Sequence, residues 1–154
     1  MVHNPKHKVH SFRGLLADGG EDEINLERQN LNVAYRIVKF QGASTTPGAV
    51  EAANVVKVYR ESQSSIDTTI DFTDSDLIAA IDFRQHTNEN YGVTANIIIF
   101  DNVLFSRNIY VTQKDQDGNG TPLNYYLELE EVPVSASALM QLKLGVARKL
   151  NLEQ

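Results

Sequence analysis

Cysteine and tryptophan are absent from the 154 residues, and proline occurs only four times. Without thiols there is no disulfide framework, thiolate metal site, iron–sulfur cluster or cysteine nucleophile. Long apolar runs are missing too: a run such as Ile97 to Phe100 is far too short to span a bilayer, so no membrane partner is expected. Positive charge is scarce, with 14 Lys+Arg against 20 Asp+Glu and a formal net charge of −6. That balance argues against a broad basic face and sequence-specific nucleic-acid binding. Lys6 and Lys8 are not followed by an apolar segment, so no secretory signal is expected. What is present, 42% hydrophobic and 22% charged residues, reads as one ordinary globular domain stabilised by burial.

The charge is uneven. The first thirteen residues carry Lys6, Lys8, Arg13 and the histidines His3, His7 and His10, with no acid among them. Asp18-Gly19-Gly20-Glu21-Asp22-Glu23 follows, acidic and interrupted by glycines that regular elements accommodate poorly. Residues 1–23 therefore read as an extended arm, basic then acidic, with 24–154 as the folded body. Lys6, His7, Lys8, His10 and Arg13 are its candidate partner-binding residues.

From Asn32 the hydrophobic period is mostly two. Val33 to Phe40 has apolar residues in both alternating sets, as in a strand covered on both faces. Gly42 to Gly48 reads as a loop and Asn54 to Arg60 as a β-rich strand. Ile66, Thr68, Ile70 and Phe72 alternate with Asp67, Thr69 and Asp71, which predicts a half-buried strand. Asp74 fits the cap of a helical turn, and a strand from Leu77 to Phe83 fits equally well. Gly92 to Phe100 and Val103 to Thr112 read as strands joined by a tight turn at Asp101-Asn102. Leu123 to Val132 is expected to form a hairpin whose tip lies near Gly118 and Gly120.

The period changes at the end. Leu139, Leu142, Val146 and Leu150 share one helical face, predicting a helix over about 135–150 with Ser135 or Ser137 as its N-cap. Seven or so strands separated by turns point to an antiparallel β-sandwich, possibly jelly-roll-like, with an extended N-terminal arm and a short C-terminal helix.

Few residues offer chemistry. Asp115-Gln116-Asp117-Gly118-Asn119-Gly120 matches the opening of a calcium loop, making Asp115, Asp117 and Asn119 candidate ligands. Tyr126 stands where the bidentate acid belongs, and the same residues crowd ordinary turns, so a solvated tip is the competing reading. His3 and His7 have a zinc-like helical spacing, but Pro5 lies between them. Asp67, Asp71, Asp74, Asp76 and Asp82 could supply paired carboxylates, or simply the polar side of a strand. His86 is the only histidine outside the arm, and no serine lies in a G-x-S-x-G elbow. Of the neighbours Tyr125 and Tyr126, one faces the core and the other the surface. No catalytic residue, metal or cofactor emerges.

Three strings carry a resemblance: Ala34-Tyr35-Arg36-Ile37-Val38-Lys39-Phe40, Ile70 to Ala80, and Asn124 to Val132 with the helical tail. Over roughly residues 30–145 the chain resembles small virion structural proteins of tailed bacteriophages of aquatic bacteria. The resemblance implies a non-enzymatic capsid decoration, or cement, protein. Such proteins are β-rich and trimeric and sit on the outer shell surface at three-fold positions. It implies the major capsid protein and further copies of the chain as partners, with the virion surface as location. The alternatives are a tail or head–tail connector protein, a carbohydrate-binding sandwich using Tyr91 and Tyr125, or a small hydrolase using the Asp67–Asp82 carboxylates.

Overall fold

The computed structural model describes residues 8–26, 32–87, 92–100 and 103–143. Eight strands and one helix follow in order: β1 (Val9–Leu16), β2 (Glu21–Ile24), β3 (Val33–Ser44), β4 (Ala52–Tyr59), β5 (Leu77–Gln85), β6 (Val93–Ile99), β7 (Ile109–Asp115), β8 (Leu123–Pro133) and α1 (Ala136–Lys143). They form two antiparallel sheets, β1-β8-β3 and β2-β7-β4-β5-β6. The expected mainly-β sandwich with a C-terminal helix is what the chain forms.

The pairings are nested. β1 pairs with β8, β2 with β7 and β4 with β5, as if one long hairpin had been rolled up around its β4–β5 tip. Rolling brings β3 against β8 and β4 against β7. This is jelly-roll connectivity with one departure. The remaining nested pair, β3 with β6, is not formed, and β6 stays on the outer edge of the five-stranded sheet.

Side chains of alternate strand residues fill the interior. Leu123, Tyr125, Leu127 and Leu129 of β8 meet Val56, Val58, Ile81, Phe83, Ile109 and Val111 of the other sheet. Each fully buried leucine contributes roughly 1.5–3 kcal/mol over an exposed one. The two apolar sets of β3 have a specific origin. A register shift between Ile37 and Lys39 inserts Val38, so Ile37 and Phe40 both face inward although three residues apart.

Several expectations need correction. The first 23 residues are not an arm separate from the body: Val9–Leu16 and Glu21–Ile24 are strands of both sheets. Cross-strand ladders override the basic-then-acidic texture of this stretch; residues 1–7 lie outside the described residues. Ile66 to Phe72 is not a strand but part of a long loop over 60–76. Asp67, Asp71 and Asp74 each accept a hydrogen bond from the backbone N–H two residues on, at 3.1, 2.9 and 3.0 Å. These local turns compete with a ladder, although Ile66 and Ile70 still alternate in burial with the exposed acids.

Neither predicted hairpin forms. β6 pairs with β5, whereas β7 begins only at Ile109 and pairs with β2 and β4. Before it, Phe105 makes a single bridge to Tyr35. The tip at Gly118 joins β7 of one sheet to β8 of the other. Asp101 and Asn102 lie outside the described residues. Of the two structures open to 77–83, the strand forms, as β5. Ser135, not Ser137, caps α1: its Oγ accepts from Ala138 N at 3.1 Å and its carbonyl from Leu139 N. The expected continuation to about 150 lies outside the described residues.

Candidate functional site

The five-stranded sheet has a third layer. Lys57 of β4 is buried at 2% exposure, and its Nζ reaches Asp67 Oδ1 and the Thr69 carbonyl at 2.7 Å each. The loop over 60–76 is thereby fastened across the sheet's outer face. The Lys57 hydrogen bond holds the Asp67 carboxyl below its ordinary range. Hydrogen bonds from Thr73 do the same for Asp71. A general acid needs a raised pKa, so both groups shift the wrong way for that work. Asp82 faces Arg84 at 3.4 Å, and Asp74 closes its own turn. These carboxylates fasten loops and strands.

The calcium-like loop closes on itself. Asp115, 4% exposed, accepts from Asp117 N at 2.8 Å through Oδ1 and from Thr121 N and Oγ1 at 2.8 and 2.9 Å through Oδ2. Burial alone would raise its pKa, but these hydrogen bonds bring it below the usual range. Gly118 and Gly120 turn the tip with φ of 75° and 69°. Beneath it Asn54, Gln113 and Thr121 form a buried polar cluster, with Gln113 Nε2 also donating to the Leu16 carbonyl at 3.1 Å. The Asp115, Asp117 and Asn119 pattern thus closes the tip on itself, while Asn54 and Gln113 tie β4, β7 and the end of β1 to it. Among the described residues no cluster of three or more His, Asp or Glu could hold a metal ion.

The other candidates separate. His10 sits on β1 against Glu131 of β8, with its ring edge on Tyr35. Lys8 and Arg13 are exposed along the same edge, whereas Lys6 and His7 lie outside the described residues. His3 and Tyr91 do too. His86 meets Glu51 at 3.1 Å, and hydrogen bonds from Thr87 hold the Glu51 carboxyl low. Tyr125 is the core tyrosine, so it cannot serve as the exposed sugar platform. Its OH donates to Asp22 Oδ2 at 2.9 Å, tying one sheet to the other. Burial, and then Asp22, push the phenol pKa up. Tyr126 is the outward one, with Lys39 Nζ 5.8 Å from its ring centre and Glu128 accepting its OH.

A cleft of about 810 Å³ runs from the three-stranded sheet to β6. Arg13, Gln41, Asn124 and Tyr126 supply its polar lining and Ala95 and Ile97 its apolar part. Sequence reasoning missed this cleft. The local signal was Gly14 and Gly42, which flank Tyr125 in cross-strand register. Among the described residues no helix is long and apolar enough to cross a membrane. No protein-family model, curated protein or solved structure significantly matches this chain.

Proposed function

We propose that this chain is a non-enzymatic structural subunit of a virion, a capsid decoration protein that binds the outer shell and clamps adjacent major capsid subunits. The observation that carries this reading is where the reactive-looking groups are spent. Asp67 fastens a loop to the jelly-roll body and Asp74 and Asp115 each close a turn, which suits a rigid clamp. The trimer and the shell partner follow from the resemblance of the sequence. Attachment runs along the β1 edge, where Lys8 and Arg13 are exposed on an otherwise acidic chain. Many identical contacts, each weak, give tight attachment by multivalency.

The test is co-sedimentation with shells assembled from the cognate major capsid protein. Saturable binding at a fixed ratio is expected, weakened by Lys8→Glu with Arg13→Glu. Absence of binding to shells, with binding to tails or connectors, would move the protein elsewhere in the virion. The cleft favours one second reading, a carbohydrate-binding module, because Arg13, Gln41 and Asn124 offer donors beside the Tyr126 ring. Titration with soluble oligosaccharides tests it, with Gln41→Ala and Asn124→Ala expected to abolish binding.

A further inference from the structure

Four strands end the two sheets, and three of them carry charge. β1 has Arg13 and His10, β2 has Glu21, Asp22 and Glu23, and β3 has Arg36, Lys39 and the Val38 bulge. Such features keep an edge from pairing with another chain. β6 has none of them. Val93-Thr94-Ala95-Asn96-Ile97-Ile98-Ile99 contains no charge, no proline and no break in its register with β5. Residues 93–97 are all exposed, Val93 at 55% and Ile97 at 38%. Alternate residues of such an edge point their N–H and C=O groups outward.

The strand is also complementary to itself. Val93, Ala95, Ile97 and Ile99 stand in register with Gln85, Phe83, Ile81 and Ala79, so they share the core-side face. If two copies pair antiparallel about Asn96, Val93 meets Ile99 and Ala95 meets Ile97 on that face. Ile97 then opposes the small Ala95 and Val93 packs on Ile99, while Thr94 meets Ile98 on the other face. The two Asn96 amides face each other on the axis, where each can donate to the other. We infer that β6 pairs antiparallel with β6 of a second copy about a two-fold axis at Asn96, joining two five-stranded sheets into one of ten strands. The occupant is a second copy because apolar and amide groups meet their own kind here without like charges opposed.

The inference does not depend on capsid binding. On a shell it links neighbouring decoration units across two-fold positions; in solution it produces assemblies of even copy number. The experiment is light scattering of the full chain and of Asn96→Asp and Asn96→Lys, alone and mixed. Each variant places like charges on the axis, and the mixture places opposite ones there. The wild type is expected to be even-numbered, each variant to dissociate about tenfold more readily, and the mixture to reassociate. Circular dichroism of each variant establishes folding, since Asp82 lies opposite residue 96. An odd-numbered or monomeric wild type, or masses indifferent to both substitutions, would overturn the inference. Shell binding by a folded, dissociated variant would leave the decoration reading intact.

Discussion

The Lys57 ammonium lies 2.7 Å from the Asp67 carboxylate, and this pair joins a sheet to the loop that covers it. Lys57 is buried, whereas the Asp67 side chain is 61% exposed. Removing the acid therefore leaves a cation in the interior with the Thr69 carbonyl as its remaining protein acceptor at this contact. Asp67→Ala is expected to cost about 2 kcal/mol in urea unfolding. Lys57→Met, which removes the charge and keeps most of the volume, is expected to cost less. Equal and negligible effects would mean that the loop is held by its apolar residues alone.

Acid should weaken the same fastenings. The Asp67 and Asp115 carboxyls both have folded pKa values below their ordinary ones, from the Lys57 contact and from hydrogen bonds that outweigh burial. A depressed carboxyl contributes stability that is present above its unfolded pKa and lost as pH falls through its folded value. Thermal stability should therefore decline below about pH 4, and Asp115→Asn should flatten that decline. A wild type equally stable on both sides of that range would contradict the linkage.

The Asp115 loop separates a stitch from a metal site. Asp115→Ala is expected to destabilise by about 1–2 kcal/mol, because Thr121 and Asp117 lose an acceptor in a closed turn. Millimolar calcium is expected to leave the melting temperature unchanged. A rise in melting temperature with calcium, abolished by Asp117→Ala, would restore the calcium reading.

Gly14 lies beneath a ring. A Cβ there would sit 2.6 Å from Tyr125 Cε2 and 2.8 Å from Asp22 Oδ2, so Gly14→Ala must displace the bond that ties the sheets. The expected cost is about 1–3 kcal/mol, with Tyr125→Phe costing less than Gly14→Ala. Differential scanning calorimetry of the two variants orders them, and the reverse order would mean that the bond matters more than the fit.

Truncation tests the place of the first strand. Removing residues 2–13 takes away Val9 to Arg13 and uncovers the β8 edge from Tyr126 to Glu130, so loss of cooperative unfolding is expected. A chain starting at Lys8 keeps every described strand and should unfold cooperatively. If both fold equally well, β1 is dispensable.

Much of the architecture was legible because half-buried strands alternate, as Leu123, Tyr125, Leu127 and Leu129 do without interruption. The helix start was legible because Ser135 precedes a helical period. Ile66 to Phe72 misled because alternation records which side chains face a surface, not whether the backbone is paired. The first strands were missed because β1 owes its existence to β8, more than a hundred residues away, and local composition carries no trace of that partner. The cleft likewise depends on which strands adjoin, which periodicity does not encode.

The nested pairing also constrains how the protein is made. β1 leaves the ribosome well before its partner β8, which ends at Pro133, so Val9 to Leu16 waits unpaired until β8 has been made. β4 and β5, closest in sequence among the nested pairs, can zip first, and closure proceeds outward from them. Slow codons between β1 and β8 would lengthen the interval in which Phe12 and Leu16 lack their cover. Synthesis rate, as much as sequence, would then set the soluble yield.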